Sequence, residues 1–540
     1  MVRLTSSWCA GVCLVALYAA AAPAADHILT VGGGPIAKSS QISLENNVLY
    51  FQRTLAKLGL DKQEHLILFD DGDNPTPDLQ YEDVERGPEE VRTLLAEIIG
   101  PSNGIRFSYR TSEIPGVSGA AEPEVIEKTI KDLSGRLTGE DRLIFYFTGH
   151  GGKSKPGSDR RSEKPKSDEK SEDKDGEKKE GDKKEEPKKR AKPLVNNLTH
   201  LWNAKEMTVT DWTEQLDELP KDAPVVAVMV QCYSGGFGNL IFKGGDPENG
   251  MAEHPRCGFF STVPDRVAAG CTPNVQEAEY REYSSYFWEA LTGETRTGQS
   301  VDKPDFDRDG ACSLLEAHAY TVLNADTIDI PTRTSDAFLR NYSATTGREG
   351  LLNVHSPIAA LLASASPCEV AVIEGLSKQF ELTGADRGKD VDEAIKRISD
   401  EKKKVDGEIR DKKQDQIKAK VEVAKALQFR WPSLGSPWHP EGARLLAEEA
   451  DVVKQAILEN EKYAEMKAAQ DAIDELEKKQ EKLNLDVVKL ERLKFWLETR
   501  ALAVNLQVMA DEKVEQDYAR LIKLESQHLT NTPPAIADKT

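Results

Sequence analysis

The sequence predicts an α/β fold with a mostly parallel sheet flanked by helices, followed by an α-helical domain with coiled-coil character. Three observations lead to this prediction. Short, continuously apolar runs rich in β-branched and aromatic residues alternate with amphipathic helical stretches, as in β-α-β units. Two of these runs stop at glycines, one beside His150 and the other beside Cys232. Beyond about residue 390, apolar residues follow alternating three- and four-residue steps, which is typical of coiled coils.

The α/β elements can be placed in order along the chain. A first strand at 27–31 precedes a helix at about 43–58, whose apolar residues recur at helical spacing. A second strand at 65–69 ends in an acidic loop, and a helix at about 125–137 leads into the strand before His150. The remaining elements are a helix at about 210–219, strands from 225 and at 258–263, and a helix at about 280–291.

The N-terminal 25 residues have the composition of a secretory signal peptide, with one early basic residue, an apolar core and small residues before Asp26. The apolar core is short for a membrane anchor, the alternative interpretation. We therefore expect an exported protein, periplasmic or extracellular, with no transmembrane span once the signal is removed. The net charge of -21 argues against nucleic acid as a partner.

Removal of this signal peptide would leave an odd number of cysteines. An odd count in an exported protein leaves at least one thiol unpaired within the chain, and Cys232 is the candidate. The sequence leaves open whether the others form disulfides. They are Cys257, Cys271, Cys312 and Cys368.

Composition divides the rest of the chain. An α/β domain at 26–353 is interrupted at 153–193 by a stretch of charged and small residues without apolar periodicity, which predicts a disordered insertion. This insertion is either a solvated loop or a segment that is cleaved or that gates the site.

The C-terminal part consists of a linker at 354–390, a helical hairpin or bundle at 391–527 and a disordered tail at 528–540. The proline-rich break at 431–440 separates the helices. Their apolar stripes favour packing within the chain, and homo-oligomerisation is the alternative.

His150 and Cys232 are the candidate reactive pair. A cysteine attacks acyl groups as the thiolate, and a neighbouring imidazole can accept the thiol proton and later return it to a leaving amine. The glycines beside both residues allow close approach of a substrate, and backbone N–H groups in such loops can stabilise an oxyanion. The alternative is a buried cysteine and an unrelated loop histidine. Both residues end consecutive apolar strands, which favours the reactive pair.

The motifs Thr148-Gly149-His150-Gly151-Gly152 and Gln231-Cys232-Tyr233-Ser234-Gly235-Gly236 resemble the His-Gly and Cys motifs of the caspase-like cysteine peptidases, and the second is nearest to the legumain type. With the charged insertion subtracted, the spacing between His150 and Cys232 is close to that in caspases. The resemblance covers about 26–353 and implies a caspase-like fold. It implies that Cys232 is the nucleophile, that His150 is the general base and acid, and that the amides of Gly151 and Cys232 form the oxyanion hole. Val230 stands where many relatives have an aspartate.

Residues 305–316 match the twelve-residue loop of an EF-hand, which binds calcium through oxygen atoms at fixed positions. The alternative is an acidic turn that caps the following helix. A single site in an exported protein favours a structural role for calcium. The ligands would be the side chains of Asp305, Asp307, Asp309, Ser313 and Glu316 and the carbonyl of Ala311.

These patterns together predict an exported, calcium-stabilised cysteine endopeptidase that acts on a protein or peptide and needs no cofactor for catalysis. The alternative is a catalytically silent caspase-like envelope protein that serves as a coiled-coil interaction scaffold. The resemblance to legumains also suggests that the C-terminal helices cover the active site as a pro-domain. In that case truncation near residue 365 would raise activity.

Overall fold

The computed structural model describes residues 25–84, 90–100, 107–154, 194–436 and 439–529. As the sequence predicts, they form an α/β fold with a mostly parallel, nine-stranded sheet flanked by helices and a long C-terminal helical region. The predicted signal peptide, nearly all of the charged insertion and most of the predicted tail lie outside the described residues. No helix among the described residues is both long enough and apolar enough to cross a bilayer.

The strands are numbered in chain order. They are β1 (Asp26–Gly33), β2 (Glu64–Phe69), β3 (Leu79–Glu82), β4 (Phe107–Arg110), β5 (Val117–Gly119), β6 (Arg142–Gly152), β7 (Leu198–Leu201), β8 (Lys205–Thr208), β9 (Val225–Met229), β10 (Arg256–Phe260) and β11 (Thr332–Arg333). The order across the main sheet is β11-β10-β9-β6-β1-β2-β5. Strands β2, β1, β6, β9 and β10 are parallel neighbours, so their carboxyl ends share one edge of the sheet. Strand β11 is antiparallel to β10, and the β7–β8 hairpin continues from the end of β6.

The helices of the α/β part are α1 (Ile42–Lys57), α2 (Glu90–Ile99), α3 (Pro123–Ser134), α4 (Val209–Leu216), α5 (Tyr283–Thr292), α6 (Leu314–Asn324) and α7 (Thr334–Tyr342). Alternate residues of β6 face opposite sides of the sheet, and each side is covered by helices. The buried side chains include Ile144, Tyr146, Phe51 of α1 and Trp288 of α5 on one side, and Leu143, Phe145, Ile130 of α3 and Trp212 of α4 on the other.

The remaining helices are α8 (Ile358–Leu362), α9 (Pro367–Gln379), α10 (Arg387–Arg430), α11 (Pro440–Glu448), α12 (Ala450–Leu458), α13 (Glu461–Met509) and α14 (Glu512–Glu525). Helices α8 and α9 lie in the stretch at 354–390, for which the sequence predicts a linker. The start of α9 carries a local signal for a helix, because Ser366 and Glu369 form a capping box and Pro367 follows the cap. His528 and Leu529 belong to the predicted disordered tail, yet Leu529 is only 2% exposed.

Helices α10 and α13 form an antiparallel hairpin whose apolar stripes pack against each other within the chain. Two polar residues interrupt the stripe of α13, and each has a partner on α10. The Gln480 amide donates to Asp406 at 2.6 Å, and the Lys494 ammonium lies 2.6 Å from an oxygen of Asp392. These cross-helix contacts satisfy polar groups that would otherwise weaken the seam.

The C-terminal helices are also part of the core beneath the sheet. Leu502 and Leu506 of α13 and Leu521 of α14 are buried in the same cluster as Tyr146 of β6. The guanidinium of Arg333, which is 2% exposed, lies 3.5 Å from a carboxylate oxygen of Glu525. The α/β part and the C-terminal helices therefore share buried apolar and charged contacts.

Candidate functional site

The fold places His150 and Cys232 at the carboxyl ends of two adjacent central strands. In the parallel pair of β6 and β9, Phe147 is paired with Met229, and His150 and Cys232 each follow three residues later. The Val230 amide donates to the Phe147 carbonyl at 3.1 Å, which continues the pairing beyond Met229. The two candidate residues are therefore level with each other at the edge of the sheet where clefts form in open α/β folds.

Gly151 explains how the two loops approach each other. A Cβ atom at this position would lie 2.3 Å from the carbonyl oxygen of Cys232 and 2.5 Å from Cγ of Gln231. Neither distance is possible for a real side chain, so only glycine fits here without moving the loops. The His150 loop and the Cys232 loop therefore meet backbone to backbone, through the two residues whose amides were predicted to bind an oxyanion.

The hydrogen bonds of His150 define its tautomer. Its Nε2 atom lies 2.7 Å from the carbonyl oxygen of Ser39 and 3.3 Å from Oε1 of Gln41. A carbonyl oxygen can only accept a hydrogen bond, so Nε2 carries the proton and Nδ1 carries the lone pair. Burial lowers the pKa of His150 below 6.5, although the bond to Ser39 opposes that shift. The imidazole is therefore neutral at pH 7, with Nδ1 available as a base.

The loop that carries Ser39 is itself held in place. The Ser40 hydroxyl donates to Oδ2 of Asp70 at 2.5 Å, and Oδ1 of Asp70 accepts the amide of Gly34 at 2.8 Å. Asp70 follows β2 directly and is fully buried. The acidic loop that the sequence placed after this strand therefore supports the segment that orients His150.

Cys232 is half-buried, and its thiol contacts a segment that follows β10. The Ala268 amide lies 3.3 Å from Sγ of Cys232 and donates to it. Burial raises the pKa of the Cys232 thiol, the Ala268 contact lowers it, and the charge of Asp329 raises it. The net shift is upward, so at neutral pH the thiol is protonated and attack requires a base to remove its proton.

Cys271 is a further residue of the site, and neither of the two motifs contains it. Its Sγ atom lies 3.9 Å from Nδ1 of His150, and its side chain is exposed. All five cysteines among the described residues are free, so none of them forms a disulfide in this structure. Nothing local in the sequence marks Cys271, because the contact joins residues 121 positions apart.

The calcium-type loop brings its first three carboxylates together. One oxygen atom from each of Asp305, Asp307 and Asp309 lies within 4.8 Å of the others. Gly310 has a φ of +90° and donates its amide to Asp305 at 3.2 Å, as a turn glycine at this position would. His528, near the C-terminus, contacts the cluster with Nε2 3.3 Å from Oδ2 of Asp309.

Glu316, the last predicted ligand, faces backbone amides in this structure. Its Oε1 accepts the amide of Phe306 at 2.6 Å, and its Oε2 accepts the amide and hydroxyl of Ser313 at 2.8 and 3.0 Å. Ser313 and Glu316 thus form a capping box at the start of α6. The alternative to a calcium loop was an acidic turn that caps the following helix, and both the turn and the cap are present. Calcium binding through all the predicted oxygens would require Glu316 to leave this cap.

A cleft of about 1090 Å³ opens next to the candidate pair, between the α/β part and α13. Gly235 and Gly236, in the turn after Cys232, form one wall, and Phe495 of α13 lies on the other. Arg266 lies between the two walls, and neither His150 nor Cys232 lines the cleft. The cleft therefore adjoins the reactive groups without enclosing them.

Comparison of the chain with models of known protein families and with curated proteins found no match.

Proposed function

We propose that this protein is a caspase-like cysteine endopeptidase in which Cys232 is the nucleophile and His150 is the general base and acid. The observation that carries the proposal is the placement of both residues at the carboxyl ends of adjacent parallel strands, with Gly151 packed against the Cys232 carbonyl. The hydrogen bond from His150 Nε2 to Ser39 supports it further, because it leaves the lone pair of the imidazole on Nδ1, which can accept a proton. The assignment to the caspase-like peptidases comes from the two motifs that carry these residues.

The chemistry follows from the neutral state of both groups. Nδ1 of His150 removes the proton of the Cys232 thiol as the sulfur attacks the peptide carbonyl, and the amides of Gly151 and Cys232 stabilise the oxyanion. The imidazolium then gives its proton to the leaving amine, and a thioester remains on Cys232. A water molecule, deprotonated by His150, hydrolyses the thioester and restores the free thiol. No cofactor takes part in these steps.

The substrate is a protein or peptide, and the cleft beside Gly235 and Gly236 offers space for residues flanking the scissile bond. The protein acts outside the cytoplasm, as its signal-like N-terminus implies. Calcium plays a structural part in the loop at 305–316. Its ligands are oxygens of Asp305, Asp307, Asp309, Ala311, Ser313 and Glu316.

A second candidate function is a silent member of the same fold that acts as an interaction scaffold. One observation favours it: Nδ1 of His150 has the Cys271 sulfur 3.9 Å away, whereas the Cys232 sulfur contacts Ala268. In this arrangement the base is not aligned with the proposed nucleophile. The two functions differ in whether His150 controls the reactivity of Cys232.

A thiol-reactive peptide probe distinguishes the two functions. We expect an acyloxymethyl ketone peptide to label Cys232 selectively, as located by peptide mass mapping. His150→Ala should slow the labelling by about 10²-fold or more, because the base is lost. Cys271→Ser is the matched control and should leave Cys232 labelled at a similar rate. Slow labelling that does not depend on His150 would support the scaffold and contradict the peptidase.

The calcium proposal predicts a calcium-dependent gain in stability. At a calcium concentration of about 100 times Kd, the free energy of unfolding should rise by roughly 2–3 kcal/mol. The double change Asp305→Asn and Asp307→Asn should remove this gain, since it takes two charged ligands from the loop. The control is Asp302→Asn, which alters an exposed acidic residue just before the loop. Urea unfolding with calcium and with EDTA measures the effect, and an equal gain in the double variant would refute the site.

A further inference from the structure

The segment 266–269 contacts both Cys232 and the residue that follows it. The Ala268 amide donates to the Cys232 thiol at 3.3 Å, and the carbonyl of Arg266 accepts the amide of Tyr233 at 2.8 Å. An N–H group that points at a sulfur stabilises the thiolate relative to the thiol. The position of this segment therefore affects how readily Cys232 ionises.

Asp329 holds the same segment from the opposite side. Its Oδ1 atom accepts the amide of Ala269 at 2.7 Å, one residue beyond the amide that contacts Cys232. Asp329 is fully buried. The Arg266 side chain adds two more contacts, to the carbonyl of Ile328 at 3.3 Å and to the carboxylate of Glu491 on α13 at 2.7 Å. The segment is thus fixed to the loop before β11 and to the C-terminal helix.

Arg492 of α13 fixes the loop that ends in Asp329. Its guanidinium is fully buried. Nε donates to the carbonyl of Asp329 at 2.7 Å, and the two terminal nitrogens donate to other oxygens of the same loop and of the last turn of α6. Those acceptors are the carbonyls of Val322, Ala325 and Thr327 at 3.0, 2.7 and 2.8 Å and the hydroxyl of Thr327 at 2.9 Å. A planar fork with this many acceptors defines the loop's position more rigidly than a single-point donor such as lysine could.

We propose that Arg492 and Asp329 are positioning residues for Cys232. Arg492 anchors the end of α6 and the loop at 325–329 to α13, Asp329 anchors the segment at 266–269 to that loop, and the Ala268 amide is thereby held on the sulfur. The inference rests on the proposed function insofar as Cys232 is taken to be the reactive thiol. It assigns to the C-terminal helix a part in the chemistry of the site, through residues that touch neither the substrate nor the reacting atoms.

The first test compares two buried arginines of α13 in the full-length chain. Arg492→Lys keeps the charge but loses the fork, and the matched control is Arg500→Lys. Arg500 is 4% exposed and bonds to Leu361 and Glu369, away from the segment at 266–269.

The measured quantity is the rate at which iodoacetamide alkylates Cys232 as a function of pH, with peptide mass mapping to locate the alkylated residue. We expect Arg492→Lys to raise the midpoint of this profile by about one pH unit. Arg500→Lys should leave the midpoint unchanged even if both variants unfold at lower urea concentration.

The second test changes Asp329 and does not depend on the folding of the arginine variants. Asp329→Asn keeps an oxygen that can accept the Ala269 amide, whereas Asp329→Leu has a similar size and no acceptor. Both variants remove the charge of Asp329, which raises the pKa of Cys232, so the comparison between them isolates the acceptor oxygen. We expect the leucine variant to be alkylated at pH 7 about tenfold more slowly than the asparagine variant. Equal effects of Asn and Leu, or equal midpoints for Arg492→Lys and Arg500→Lys, would overturn the inference.

The readout also separates this inference from the proposed function. Alkylation of Cys232 is measured whether or not the protein hydrolyses peptides. A raised midpoint in Arg492→Lys, in a protein whose parent form cleaves no peptide, would support the positioning role and refute the peptidase. An unchanged midpoint in a protein that cleaves peptides normally would refute the positioning role alone.

Discussion

Replacement of Cys232 by alanine is expected to lower kcat/KM for a peptide substrate by at least about 10⁴-fold, because no other group can form the thioester. His150→Ala should lower it by about 10²–10⁴-fold, since Cys232 is then left as a protonated thiol without a base. Both variants should unfold within about 1 kcal/mol of the parent protein, because both side chains are only half-buried. Hydrolysis of a peptide library, with urea unfolding of each variant, provides the measurement.

The matched controls are Cys368→Ala and His355→Ala, which change the same residue types on other parts of the chain. Both should keep the parent kcat/KM. A pH profile adds a second check on His150, whose pKa lies below 6.5 because of burial. Activity requires the neutral imidazole, so it should fall as the pH is lowered, with a midpoint below 6.5. Unchanged turnover in Cys232→Ala, or an acid loss of activity with its midpoint above pH 7, would contradict the assignment.

The central strands and the long helices could be predicted because their signals are local. The run before His150 and the run before Cys232 are continuously apolar and end at glycine, and they form adjacent strands. The stripes of α10 and α13 repeat over many turns, so their periodicity is unambiguous. Strands β5 and β11 have only three and two residues, which is too short for a periodic pattern. Their position depends on the longer strands beside them.

Within the candidate site, only the residues that belong to sequence motifs could be predicted. His150, Cys232 and Gly151 stand in recognisable sequence patterns, and the fold places them together. The groups that set their chemical state carry no such pattern. Ser39 acts through its backbone carbonyl, which every residue has, and Ala268 acts through its backbone amide. Cys271 reaches His150 from 121 positions away, so only the folded chain reveals that contact.

Truncation of the chain after residue 365 is expected to abolish folding, the opposite of the activation that a pro-domain would predict. The deletion removes Glu369 and Glu525, whose carboxylates lie 3.8 and 3.5 Å from the buried guanidinium of Arg333. Arg333 keeps Asp336, 3.6 Å away, but loses these two other carboxylates, and breaking a buried ion pair costs about 3–5 kcal/mol. Thr334 and Ser335 also lose their bonds to Glu525, at 2.7 and 2.8 Å.

The same truncation removes buried apolar side chains, and their loss lowers the free energy of unfolding more than the loss of the ion pairs does. Leu502, Leu506 and Leu521 are buried in the cluster that covers the sheet, and Trp496 packs against α6 and α9 in a neighbouring cluster. Each such side chain contributes about 2–5 kcal/mol, whereas the whole stability of a domain is about 5–15 kcal/mol. The truncated chain should therefore show no cooperative urea transition and no selective labelling of Cys232.

The control deletes only the outer part of the hairpin, residues 412–474, and joins α10 to α13 by a short glycine-serine linker. This variant keeps every contact of Arg333 and Arg492 but uncovers the apolar side of α2, which packs against the deleted residues. We therefore expect a lower urea midpoint than that of the parent, with a cooperative transition and with labelling at Cys232 retained. A chain that ends at 365, folds, and hydrolyses peptides faster than the parent would instead establish the C-terminal helices as an inhibitory pro-domain.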